Sequence, residues 1–241
     1  MRKRIIALIS FLCYIVCWTQ AADEHYYFKN LSIKDGLSQT TVNAIMQDKK
    51  GFMWFGTKGG LSRYDGMSFR NFKRDMNDNH SLGNNFVTCL YEDNKGNIWV
   101  GTDAGMYIYY SDREIFVPFN LLSRENTKID RTVSAISGDK EGRVWIAVET
   151  QGLFCYEPQK EQLHNYTLNS FSANVQSVTS DNSGTIWVGF YGSGLFYSKD
   201  NLKTLHPYLS PKDGEEVFKD DVIMKIVPGA YNCIYISSIR K

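Results

Sequence analysis

The side chains able to do chemistry in this sequence are few and scattered. Beyond residue 21 there are four histidines and three cysteines, Cys89, Cys155 and Cys233. An odd number of cysteines at unrelated positions indicates no disulfide framework, and three buried free thiols are expected. His164 and His206 each stand nineteen residues after a tryptophan, which places them on separate structural units rather than in one metal site. A recurrent Asp-x-x-Gly, as in Asp93-Asn94-Lys95-Gly96, resembles the start of a calcium loop but lacks its further acids and closing glutamate. Each such aspartate is read as capping its own turn. No Gly-x-Ser-x-Gly elbow and no phosphate-binding glycine-rich loop followed by Lys-Ser/Thr is present. No catalytic residue, metal site or cofactor is therefore expected. What remains suits recognition: Lys58, Asp103, Glu149 and Tyr191 in short loops, with Asn85, Arg131 and Asn174 at neighbouring segment entrances. Carboxylates, amides and an aromatic platform are what a sugar site requires.

These residues gain meaning from the repeat that carries them. Trp54, Trp99, Trp145 and Trp187 are separated by 45, 46 and 42 residues. Gly51, Gly96, Gly142 and Gly184 precede them by three positions, and Asp48, Asp93, Asp139 and Asp181 by six. Nine residues before each tryptophan is an aliphatic side chain (Ile45, Leu90, Ile136, Val178), and three further back a valine (Val42, Val87, Val133, Val175). A tyrosine (Tyr64, Tyr109, Tyr156, Tyr197) follows ten or eleven residues after.

Each unit reads as four short strands. In the first they are VNAIMQD, FMWFGT, LSRYD and FRNFK, separated by Gly- and Asp-rich turns. Four-stranded units of this length are β-propeller blades, so the expected fold is all-β, with about four and a half blades in an incomplete ring. Side chains alternate along a strand, so Trp54 and Gly56 share a face, as do Trp99 and Gly101, and Trp187 and Gly189. Ala147 replaces the glycine in the third unit. A large residue beside a missing side chain suits packing of blade on blade, so these tryptophans are assigned to the core. The blades are placed at 36–74, 82–120, 127–167 and 170–209, with a partial unit at 217–241 in which Tyr235 takes the tryptophan place and Asn232 the glycine place. Residues 25–31 read as a stray outer strand.

The chain has 241 residues, with 27 Lys+Arg against 26 Asp+Glu. A formal charge of +1 gives no electrostatic footprint for nucleic acid. Residues 1–21 read as a secretory signal peptide: a basic start at Arg2-Lys3-Arg4, an apolar run from Ile5 to Trp18, then small residues for cleavage. Its removal leaves residues 22–241 slightly acidic. The loops between second and third strands and the entrances to first strands meet at one mouth of a propeller, which puts the seven recognition residues on one surface.

The stretch GLSQTTVNAIMQDKKGFMWFGTKGGLSRYDG (36–66), with the later copies DNKGNIWVGTDAGMYIY and DNSGTIWVGFYGSGLFYS, resembles the two-component regulator propeller repeat. The resemblance covers essentially all of 25–241. It implies the N-terminal periplasmic sensor region of a Bacteroides-type hybrid two-component sensor histidine kinase, with oligosaccharides as ligands. The remaining blades, a membrane-anchored kinase and a second copy of the chain are the implied partners. The chain itself would carry sensing and no phosphotransfer, as part of a longer protein or a truncated product. The alternatives are an exported non-catalytic interaction scaffold and a propeller enzyme, the latter requiring convergent acids or histidines with a metal or cofactor.

Overall fold

The computed structural model describes residues 27–166, 174–212 and 214–240. The expected signal segment, 1–21, lies outside the described residues. Over 27–31 the expected outer strand is not formed, and Tyr27 and Phe28 are almost fully exposed. A strand needs a neighbour for its backbone hydrogen bonds, and among the described residues none pairs with 27–31.

The described residues form four antiparallel four-stranded sheets and one two-stranded sheet. Blade 1 contains β1 (Val42–Gln47), β2 (Met53–Thr57), β3 (Gly60–Tyr64) and β4 (Phe69–Phe72). Blade 2 contains β5 (Val87–Glu92), β6 (Ile98–Thr102), β7 (Gly105–Tyr110) and β8 (Ile115–Pro118). Blade 3 contains β9 (Val133–Gly138), β10 (Val144–Val148), β11 (Gly152–Glu157) and β12 (Gln162–Tyr166). Blade 4 contains β13 (Val175–Ser180), β14 (Ile186–Phe190), β15 (Gly194–Ser198) and β16 (His206–Pro207). The fifth sheet is β17 (Val222–Pro228) with β18 (Ile234–Ile239). Strands pair in sequence order within each sheet, and the first strands of successive sheets pack side by side as an inner rim. This is an unclosed β-propeller.

The Asp-x-x-Gly-x-x-Trp spacing is the local device that shapes each blade. In blade 3, Asp139 Oδ1 accepts the backbone N–H groups of Glu141 (3.0 Å) and Arg143 (2.9 Å), and Oδ2 accepts the indole N–H of Trp145 at 2.8 Å. The same indole bond joins Trp54 to Asp48 (2.8 Å), Trp99 to Asp93 (3.0 Å) and Trp187 to Asp181 (2.8 Å). Each aspartate thus caps its turn and also fixes the tryptophan that leaves it. The glycine three residues on has φ between +79° and +92° in the four turns, a left-handed conformation that other side chains resist.

Blades join through a second recurrent device. A Cβ on Gly56 would stand 2.6 Å from Val87 Cγ1, and one on Gly101 would stand 3.0 Å from Val133 Cγ1 and collide with Cys89 Sγ. A Cβ on Gly189 would stand 2.7 Å from Ile223 Cβ. The space beside Trp54, Trp99 and Trp187 is therefore filled by Val87, Val133 and Ile223 of the next blade's inner strand. One residue later each inner strand carries a bulge, and there Asn43, Thr88 and Ser134 donate to the carbonyls of Val87 (2.8 Å), Val133 (2.6 Å) and Val175 (2.6 Å). Gly101→Val should destabilise the chain by about 1–3 kcal/mol through overpacking, read by chemical denaturation. Gly51→Asn, in an open turn, is the milder comparison.

The cores lie between blades: Trp54 with Val87, Val100 and Tyr109; Trp99 with Val133 and Ile146; Trp145 with Val175 and Val188. Trp187 is only half-buried, because the sheet beyond it has two described strands. Tyr235 keeps the tryptophan register, opposite Val227 as Trp54 is opposite Met46, yet is 66% exposed. One thiol departs from expectation. Cys89 and Cys155 are buried, but Cys233 is exposed, because it caps the short 3₁₀ turn Ala230–Asn232 at the blade end rather than lying in a strand.

Candidate functional site: the mouth of the blades

The antiparallel order of each blade brings the loop between its second and third strands to the entrance of its first. One backbone hydrogen bond repeats there four times. Lys58 N–H donates to Thr41 O (3.2 Å), Asp103 to Phe86 O (3.2 Å), Glu149 to Thr132 O (2.9 Å) and Tyr191 to Asn174 O (3.0 Å). Four equivalent backbone seats thus carry a cation, two carboxylates and a phenol.

The seats also touch across blades. The Lys58 ammonium stands 5.3 Å from the centre of the Phe86 ring, a cation–π contact from blade 1 to the entrance of blade 2. Asp103 Oδ1 accepts the side-chain amide of Asn84 (2.7 Å), and its carbonyl accepts the Thr132 hydroxyl of blade 3 (3.4 Å). Arg131 lies 3.8 Å from Asp130, both exposed, and its carbonyl accepts Gly105 N–H at 3.0 Å. Glu149 and Asn174 are half-buried, and Tyr191 is 53% exposed. Asn85 points elsewhere. Its Oδ1 accepts the backbone N–H of Arg74 (2.7 Å) and braces the crossover that joins blades 1 and 2. Asn84, one residue earlier, reaches Asp103 instead. Sequence spacing located this entrance, but it does not tell which of two adjacent asparagines faces which partner.

The groups weighed for chemistry are dispersed. His164 lies on outer strand β12, 3.5 Å from Glu157, and His206 on outer strand β16 against the Tyr197 ring. Among the described residues, no three His, Cys, Asp or Glu side chains are placed to hold a metal ion. Burial pushes the thiols of Cys89 and Cys155 up to about 12. Burial also raises the Asp181 carboxyl, but hydrogen bonds from Ser183, Trp187 and Thr185 outweigh it and hold the group below the usual carboxylate range. A depressed folded-state value means that this contribution is complete above the unfolded carboxylate pKa and is lost as pH falls below it.

Comparison with known proteins agrees with this architecture. The fold and its repeated turn define a β-propeller built from Asp-x-x-Gly-x-x-Trp blades. Residues 36–59 and 81–104 match the two component regulator propeller family. Histidine kinase P4 of Formosa agariphila is 36% identical over 77 residues, covering 32% of this chain and 5% of that protein. The extracellular domain of a putative hybrid two component system from B. thetaiotaomicron has the same fold, with a TM-score of 0.74 and 23% identity over 88% of this chain and 29% of that one. The extracellular domain of a putative one component system from that organism gives a TM-score of 0.71 and 19% identity over 88% and 30%. The chain thus spans less than a third of these relatives. Among the described residues, no helix is long and apolar enough to cross a membrane.

Proposed function

We propose that this chain is part of the extracytoplasmic sensing propeller of a two-component signalling protein, that it is not itself an enzyme, and that it reads glycan fragments at the mouth of its blades. The repeated hydrogen bond between loop and entrance carries the reading. The backbone geometry is constant at four seats while the side chain changes from Lys58 to Asp103, Glu149 and Tyr191. A constant frame with variable polar chemistry is the economy of a recognition surface. The likeness to extracellular domains of two-component systems supports the location and the signalling role, and the carboxylate, amide and phenol set supports a polyhydroxylated ligand.

Thermal-shift titration with a panel of oligosaccharides tests this. A ligand that binds the folded state raises the melting temperature with concentration. The variant carrying Asp103→Asn and Glu149→Gln should melt as the parent does without ligand and bind at least about tenfold more weakly, since each change replaces a charge-assisted hydrogen bond. No shift with any oligosaccharide, or a shift indifferent to this variant, contradicts the proposal.

A further inference from the structure

The crossover between blades 1 and 2 holds a cavity of about 300 Å³ that none of the seven sequence-identified recognition residues lines. It is lined by Arg74, Asp75, Met76, Asp78, Asn79, Ser81 and Gly83 of the crossover and by Tyr107 and Pro118 of blade 2. The crossover leaves the outer strand β4 and enters the inner strand β5, so it lies at the mouth end of the blades.

This loop is ordered from within. Ser81 Oγ has the carbonyls of Asp78 (2.7 Å) and Asp75 (3.0 Å) within reach of its single proton and accepts Asp75 N–H (3.0 Å). His80 O accepts Phe116 N–H at 2.9 Å, pinning the loop to β8, and Leu82 is fully buried. Gly83 packs so closely on the Tyr107 hydroxyl that any Cβ there would displace the ring. The carboxylates of Asp75 and Asp78 each use Oδ1 to cap their own turn, accepting Asn77 N–H (2.9 Å) and His80 N–H (2.8 Å). Their Oδ2 atoms make no internal hydrogen bond among the described residues.

We infer that this cavity is a binding site for one neutral pyranose unit. A pyranose has an apolar C–H face and a rim of adjacent hydroxyls. Tyr107 and Pro118 supply a wall for the first, while Asp75, Asp78, Asn79 and Arg74 supply planar acceptors and donors for the second. The volume is at the small end of ligand cavities, which suits a single sugar ring. Two carboxylates against one guanidinium disfavour a uronate or sulfated sugar. The inference rests on the glycan-sensing reading but places a sugar outside the loop seats of the blades.

The test is isothermal titration of the full chain with maltose, cellobiose, lactose and galacturonic acid. A neutral disaccharide should bind, and galacturonic acid should bind more weakly. Asp75→Asn with Asp78→Asn should weaken binding at least about tenfold, as expected for two charge-assisted hydrogen bonds. Both residues are exposed, and asparagine keeps the Oδ1 turn caps, so the fold should stand. Gly83→Ala should also abolish binding by displacing Tyr107. If a sugar binds but responds only to Asp103→Asn and Glu149→Gln, the cavity is wrong and the mouth reading stands. If none of the neutral sugars binds, the cavity proposal is overturned. Equal or tighter binding of galacturonic acid overturns the neutral specificity.

Discussion

Trp145→Ala should cost about 3–5 kcal/mol of folding stability, the range for removing a large aromatic from a packed interior. Trp145 has no exposed surface and packs among Leu153, Val175, Val178 and Ile186, the last three from blade 4. Its ring also lies beneath the Arg143 guanidinium, 5.2 Å from the ring centre. The substitution opens the interface between blades 3 and 4 and leaves Asp139 Oδ2 without its indole donor. Urea denaturation should show a lower midpoint, and Trp145→Phe should lose less because it retains most of the volume. Trp187→Ala is the internal control. It is half-buried, so its loss should be smaller. Equal losses at the two positions would mean that burial between blades is not what the repeat stabilises.

The second large effect belongs to the aspartate that holds this ring. Asp139→Ala should cost about 3–5 kcal/mol, as expected when one member of a buried charged pair is removed. It strands the Trp145 indole N–H and the backbone N–H of Arg143 and removes the nearer carboxylate of the Arg143 side chain, whose Nε lies 2.7 Å from Oδ2. Asp139→Asn should cost less, about 1–3 kcal/mol, because Oδ1 still caps the turn while an amide N–H now opposes the indole and guanidinium donors. In a double-mutant cycle, Asp139→Ala and Trp145→Ala should be less than additive by about 0.5–3 kcal/mol, because each removes the same bond. Additivity would show that the aspartate caps its turn and does nothing for the tryptophan.

The blade was legible in the sequence because its devices are local and periodic. Asp48, Gly51 and Trp54 lie within seven residues, and the same frame returns at Asp93, Asp139 and Asp181. Reading the aspartate as a turn cap captured Oδ1 and missed Oδ2. The invariant spacing of six from aspartate to tryptophan was the available signal. Pairing the space at Gly56 with Val87 needed knowledge of the next blade, although both positions recur in the pattern. The mouth loops were legible as places, since antiparallel order dictates where they gather. Side-chain direction was not. Asn85 turns to Arg74 and Asn84 to Asp103 because of contacts made by a crossover outside the repeat. The cavity beside Tyr107 was hidden for the same reason. Cys233 was grouped with the buried thiols because an odd cysteine count left no disulfide framework, but it is exposed at the end of a turn.

Variable seats on a constant frame do the recognising in the proposed function. Hydrogen–deuterium exchange of the full chain, with and without a binding oligosaccharide, tests it most directly. Added protection is expected at the mouth, in segments 58–60, 84–86, 103–105, 131–133, 149–152, 174–175 and 191–193. The Asp-x-x-Gly turns at 48–51, 93–96, 139–142 and 181–184, at the opposite end of the blades, should be unchanged. Protection centred on those turns, with the mouth unaffected, would contradict it.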